Sequence, residues 1–194
     1  SGNPATTILN SFYNSVSMRI VFRLCARKTG NPQSMKFFNE NVSMVSYGDD
    51  NVVNMSDRIA PWFNQNTITE GYAKIGMVYT DEAKTGDVTP DYRSIGEVGY
   101  LKRNFIKRGN RWFAPLDINT ILEMCNWRRG DIDPITATQV NCECSIMELS
   151  MHERNIWDVW EPKIQKAFFK NAGFMLDTMT YEEYEEKRLY DYFI

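Results

Sequence analysis

The sequence predicts an α+β chain in two parts: hairpins interleaved with helices over residues 1–115, then helices alone over residues 116–194. Three observations carry this. Val42-Ser43-Met44-Val45-Ser46 and Asn51-Val52-Val53-Asn54 alternate as half-buried strands do, with Gly48-Asp49 between them as a two-residue link. From Thr6 to Arg27, Leu9, Tyr13, Val16, Ile20 and Leu24 recur at helical spacing, as in a long helix that packs one face on a core. After Pro115 the alternating runs stop and only helix-period stretches follow.

Composition bounds the problem without solving it. At 194 residues, 43% hydrophobic and 13% aromatic, the chain holds enough apolar material for one good core or two small domains. Its formal charge of -3 is too small to identify a nucleic-acid or membrane partner, so local clusters must decide. No apolar run approaches the roughly 18 residues of a membrane span. Cys25, Cys125, Cys142 and Cys144 show no disulfide framework and suit a reducing compartment. Cys142 and Cys144 with His152 have the residue types of a zinc site. Three scattered ligands without a C-x-x-C pair read instead as helix-core cysteines and a surface histidine.

The elements follow in order. Pro4 can open the first helix, on which Thr6, Asn10 and Asn14 share a face one turn apart. Lys28 to Asn41 is a polar connector into the hairpin. Ser56-Asp57 begins a short helix carrying Ile59, Trp62 and Phe63, and Thr67 with Glu70 has capping-box spacing for another. Ile75 to Thr80 reads as a strand that releases the chain into a loop holding Lys84. Ser94 and Glu97 repeat the capping spacing, and residues 99–114 read as a hairpin turning at Gly109-Asn110. Asp117 caps a helix through Trp127, and Asp133-Pro134 opens a second. A third contains Ile156, Trp157, Val159, Trp160, Ile164 and Phe168 and stops before Gly173. Thr180 and Glu183 cap the last.

Two stretches hold chemistry. Asp49 and Asp50 sit at the tip of a tight hairpin, where neighbouring carboxylates repel unless a cation shares them. A hard divalent ion suits that pair, since Mg²⁺ takes one or two carboxylates and completes its shell with water and phosphate. The alternative is an ordinary solvated turn. Lys102, Arg103, Lys107, Arg108 and Arg111 form the densest basic cluster, which suits either a guarded edge hairpin or a clamp on a nucleic-acid backbone.

Taken in order, the motifs resemble those of an RNA-dependent RNA polymerase from the picornavirus-like positive-strand viruses, nearest the dicistrovirus and iflavirus branch. Ser1-Gly2 with Thr6 and Asn10 resembles motif B, S-G-x-x-x-T-x-x-x-N. Tyr47-Gly48-Asp49-Asp50 resembles motif C, Tyr79 to Lys84 motif D, and Tyr100-Leu101-Lys102-Arg103-Asn104-Phe105 motif E. The resemblance implies the later half of a right-hand polymerase: palm to about residue 115, then thumb. It implies that Asp49 and Asp50 hold catalytic Mg²⁺, or Mn²⁺, and that two metals activate a primer 3′-hydroxyl and steady the pyrophosphate. Lys84 would be the general acid. Ser1, Gly2, Thr6 and Asn10 would line the ribose, and Lys102 and Arg103 would grip the primer. The implied partners are RNA template and primer, ribonucleoside triphosphates, and the upstream fingers and motif A region of the same polyprotein. The implied location is host cytoplasm, at membrane-associated replication complexes.

Motif A, which supplies another metal-binding aspartate, has no counterpart here, and neither has the basic motif F. The chain opens inside motif B, so a piece of a longer polypeptide is expected, inactive on its own. A non-catalytic RNA-binding or scaffold module is the alternative reading. A reverse transcriptase fits less well, because such enzymes usually carry a hydrophobic residue where Gly48 stands.

Overall fold

The computed structural model describes residues 4–82, 92–127, 130 and 132–191. They form two compact units, Ser1–Leu101 and Lys102–Ile194, each with its own core. The architecture is α+β, with β-structure confined to two-stranded pieces.

In the first unit, helix α1 spans Pro4–Lys28. It stops in a Schellman turn, with the Asn31 N–H donating to the Ala26 carbonyl at 2.8 Å and the Gly30 N–H to that of Arg27 at 3.4 Å. The helix is as expected, but its buried face is not the expected one. Leu9, Tyr13, Val16 and Ile20 are exposed, Leu9 by 65% and Tyr13 by 59%. The core takes Asn14, Ser17, Met18, Val21, Phe22, Cys25 and Ala26 instead. Phe22 decides this. Its ring meets Phe38 and Phe63 edge-on at 5.0 and 5.2 Å and Trp62 at 5.5 Å, so the aromatic cluster forms on that side.

The supposed connector contains a helix, α2 (Met35–Asn41), whose first turn is capped when Ser34 Oγ accepts from the Phe37 N–H at 3.2 Å. Strands β1 (Val42–Tyr47) and β2 (Asp50–Met55) then pair antiparallel, with Tyr47 opposite Asp50. This is the hairpin the alternation predicts. Residues 57–64 form successive turns rather than a helix, and they deliver Ile59 and Phe63 to the core. Helix α3 (Gln65–Lys74) starts earlier than Thr67. Asn64 is its cap, and Thr67 answers from the third helical position, Oγ1 accepting from the Asn64 N–H at 2.9 Å.

Residues 75–80 are not a strand. Gly76 turns the chain at φ 77, and Tyr79 lies stacked on Tyr72, ring centroids 4.8 Å apart. Ser94 and Glu97 do form a capping box, on a single 3-10 turn (Ile95–Glu97) ahead of β3 (Gly99–Tyr100).

The second unit begins with β4 (Arg103–Asn104) and the hairpin β5 (Ile106–Arg108) and β6 (Arg111–Phe113). Four helices follow: α4 (Ile118–Met124), α5 (Pro134–Leu149), α6 (Arg154–Ala172) and α7 (Tyr181–Asp191). The expected punctuation holds. Asp117 and Asp133 cap α4 and α5, Gly173 ends α6 at φ 80, and Thr180 Oγ1 and Glu183 cap α7 reciprocally. Helix α4 stops three residues short of Trp127. Ile121, Ile146, Leu149, Trp157, Ile164, Phe168, Tyr181 and Tyr184 fill the core between these helices.

The cysteine and histidine ligand types do not converge. His152 Nε2 bonds the Leu116 carbonyl at 2.8 Å, Cys142 is buried, and no group of three His, Cys, Asp or Glu ligands occurs among the described residues.

Candidate active site

The acidic turn is built from one glycine and one helix. Gly48 takes φ 65, Asp49 stays out of the left-handed region, and a single glycine at the first central position is what a type II′ turn requires. The turn also closes against α1. Ser11 Oγ donates to the Thr7 carbonyl at 2.8 Å, which leaves a lone pair to accept the Gly48 N–H at 2.8 Å. One helical turn on, Asn14 Nδ2 donates to the Asp49 carbonyl at 2.8 Å and more loosely to that of Gly48 at 3.5 Å. Three main-chain groups of the turn are thus tied down, while the side chains of Asp49 and Asp50 remain exposed. The hairpin spends its backbone on the protein and its carboxylates on the solvent side.

Two of the other expected residues lie on the same helix. Thr6 and Asn10 sit on α1 two turns and one turn before Asn14, on the helix line that leads to the turn, with Thr6 partly buried and Asn10 exposed. Ser1, Gly2 and Lys84 lie outside the described residues. The segment that carries Lys84 is anchored at its described flanks. Arg93 donates both ends of its guanidinium to Glu82, at 2.7 and 2.6 Å, and Glu82 also accepts the Gly99 N–H at 3.2 Å. The Arg93 hydrogen bonds hold the Glu82 carboxyl below its ordinary range. Tyr100 brings a buried hydroxyl with no hydrogen-bond partner among the described residues. Burial first, and then the Asp50 charge, push its pKa up.

The basic cluster of the second unit divides into two kinds of residue. Arg103 donates twice to Glu148 of α5, at 2.9 and 2.8 Å, and once to the Ala114 carbonyl at 2.8 Å. Arg108 lies over the Phe113 ring and bonds Tyr181 at 2.9 Å, Glu185 at 3.2 Å and the Met151 carbonyl at 2.6 Å. These arginines brace the hairpin on the helices, so the expectation that Arg103 grips a primer meets a guanidinium already engaged. Lys102 is different. It is exposed, and with Leu101 it holds a left-handed conformation, φ 61 and 52, that costs a side-chain-bearing residue roughly 1–2 kcal/mol. Strain of this kind collects at functional sites. Lys107 and Arg111 are exposed as well.

The donor set fits a hard divalent cation in kind and falls short in number. Two exposed carboxylates on a rigid turn are what Mg²⁺ takes from a protein that leaves the rest of its shell to water and phosphate.

A family model described as "Viral RNA-dependent RNA polymerase" matches residues 1–165. The replicase polyprotein of acute bee paralysis virus is 50% identical over the whole chain, and that of cricket paralysis virus is 48% identical over 80% of it. The chain belongs to the viral RNA-dependent RNA polymerase family. It spans about a tenth of those polyproteins, 11% and 9% of their lengths. Among solved structures, a sicinivirus RNA-dependent RNA polymerase superposes with a TM-score of 0.67 at 22% identity, over 96% of this chain and 37% of that one, which shows a shared fold.

In this polymerase-family chain, several residues that set the site carry no local sign in the sequence. Ser11 became visible only through its contact with Gly48, and although Asn51 and Tyr79 lie in the second strand and the motif D stretch, their hydrogen bonds, with partners 28 to 37 positions away, have no local sign. Asn14 had one available clue, its place two turns past Thr6 on the polar line of α1.

Proposed function

We propose that this chain supplies the catalytic turn, the ribose-facing helix and the helical thumb of a polymerase that copies RNA from ribonucleoside triphosphates during viral genome replication. The observation that carries the reading is the Gly48-Asp49 turn, whose backbone is pinned to α1 while both aspartates face outward. Asp49 and Asp50 are the residues that would hold Mg²⁺ or Mn²⁺. Bound there, the metal would lower the pKa of an RNA 3′-hydroxyl and offset phosphate charge. Thr6 and Asn10, with Ser1 and Gly2, present hydroxyl and amide groups to the ribose, whose 2′-hydroxyl distinguishes RNA from DNA. Lys84 donates a proton to the departing pyrophosphate. Lys102, rather than the engaged Arg103, takes the RNA backbone.

The reading extends to the partners: template and primer RNA, and the upstream polymerase segments that bring the remaining metal ligand. No described helix is long and apolar enough to cross a membrane. Commitment of Arg103 and Arg108 to the helices counts against a purely RNA-binding module, since it removes two of five cations from the surface such a module would use.

The test is Asp49→Asn in the complete polymerase. Nucleotide incorporation on a primed RNA should disappear while thermal unfolding is unchanged. Near-normal incorporation would remove Asp49 from the metal site. The 194-residue chain alone should incorporate nothing.

A further inference from the structure

We propose that Tyr79 is a positioning residue for the acidic turn: its hydroxyl completes a hydrogen-bonded chain through Asn51 and Asn14 and so helps hold the Gly48-Asp49 backbone in place. The inference rests on the reading of Asp49 and Asp50 as the catalytic pair. The geometry is a chain of three hydrogen bonds. Tyr79 Oη lies 2.8 Å from Asn51 Oδ1, Asn51 Nδ2 lies 3.1 Å from Asn14 Oδ1, and Asn14 Nδ2 lies 2.8 Å from the Asp49 carbonyl.

The direction of each bond follows from the chemistry of the groups. Main-chain carbonyls only accept, so Asn14 must turn its NH₂ toward Gly48 and Asp49. That leaves its carbonyl oxygen for Asn51, which must then present its own NH₂. The Asn51 oxygen is left facing Tyr79, and a hydroxyl can donate to it. If either amide flipped, two donors or two acceptors would face each other. The carbonyls of the turn set the direction of the chain, and Tyr79 supplies the donor that satisfies its last free acceptor, the Asn51 oxygen. It keeps that proton, since burial pushes its pKa up to about 12.

Tyr79 is also well placed to stay fixed. Its ring is stacked on Tyr72, which is anchored in the core of the first unit. The relay thus joins the core beneath α3, the second strand of the hairpin, the long helix and the turn itself. Asn14 is buried, so the donors and acceptors it exposes on flipping would not be met by bulk water.

Tyr79→Phe isolates the hydroxyl, because the phenyl ring preserves the stack. In the 194-residue chain, amide hydrogen exchange at Gly48 should accelerate by about tenfold, the loss of one net hydrogen bond, and the side-chain amide resonances of Asn14 and Asn51 should shift. Asn14→Ala breaks the relay at its last link. The double variant Tyr79→Phe/Asn14→Ala should then exchange no faster at Gly48 than Asn14→Ala alone, whereas independent effects would multiply. In the complete polymerase, Tyr79→Phe should lower kcat by about three- to tenfold and leave the nucleotide KM within about twofold, because the turn and not the nucleotide pocket is loosened. Unchanged Gly48 exchange in Tyr79→Phe, or multiplicative effects in the double variant, would overturn the proposal. Failure of the catalytic reading shows differently: Asp49→Asn would keep activity while the exchange results still report on the relay.

Discussion

Gly48 and Lys102 both hold a positive φ, one with no side chain and one with a long side chain. Adding a Cβ at Gly48 meets no atom within 4 Å, so Gly48→Ala should cost only the strained backbone conformation, about 1–3 kcal/mol. Chemical denaturation followed by circular dichroism would register it. At Lys102 the cost is already present. Lys102→Gly should leave stability within about 1 kcal/mol of the parent, on the stabilising side, because released strain is largely offset by the flexibility glycine adds to the unfolded chain. The same variant should weaken binding to a primed RNA by the complete polymerase and flatten its salt dependence. Lys84 has a kinetic signature instead: Lys84→Leu should slow the chemical step by roughly 10² to 10⁴ without a matching rise in nucleotide KM. If KM alone changes, Lys84 binds the triphosphate and is not its acid.

Among the elements, α1 gives the sharpest contrast. Leu9 and Phe12, exposed by 65% and 69%, should tolerate Leu9→Gln and Phe12→Gln within about 0.5 kcal/mol. Phe22→Ala, at the hub of the aromatic cluster, should cost about 3–5 kcal/mol. The helix itself was legible because Pro4 and the apolar spacing both point to it. Its orientation was not, since apolar residues line two sides and periodicity cannot say which side meets Phe38 and Phe63. The turn at Gly48-Asp49 was legible for the converse reason: two strands and the glycine between them lie within the span Val42–Met55, and local chemistry sets their register. Helix α2 escaped notice because seven residues carry barely two turns of pattern. The engagement of the arginines was not legible for a further reason. Arg103 finds Glu148 across 45 positions and Arg108 finds Glu185 across 77, and nothing local distinguishes a braced guanidinium from a free one. Glu148→Ala should accordingly destabilise the second unit by roughly 2–3 kcal/mol, with the Arg103 guanidinium left half-buried and unpaired. Close packing sets the other limit. A Cβ at Gly71 of α3 would stand 2.5 Å from Val21 Cγ1 of α1, so Gly71→Ala should destabilise by about 1–3 kcal/mol despite the better helix propensity of alanine.

For the whole molecule, four of the five tryptophans, Trp112, Trp127, Trp157 and Trp160, lie in the second unit, so fluorescence and circular dichroism should report different transitions if the two cores unfold separately. Acid should weaken both. Glu82 in the first unit, held by Arg93, and Asp133 and Glu183 in the second, held by helix-end amides, all sit below their ordinary pKa. A carboxyl lowered in the folded state contributes above its unfolded pKa, 4.5 for a glutamate, and that contribution fades as pH falls through the lowered value. The melting temperature should therefore hold steady from about pH 7 to 5 and drop at more acid pH, less steeply in Glu82→Gln. The hairpin that carries Asp49 and Asp50 also sets where the chain can change length. Its two-residue link fixes Tyr47 opposite Asp50, and one added residue would swap the faces of every position in one strand relative to the other, turning Asn51 away from α1. For the segment between Glu82 and Arg93, whose described ends are already clasped together, doubling the length costs only about 0.6 kcal/mol. Insertions and deletions scanned along this polymerase should accumulate in the second stretch and be purged from the first.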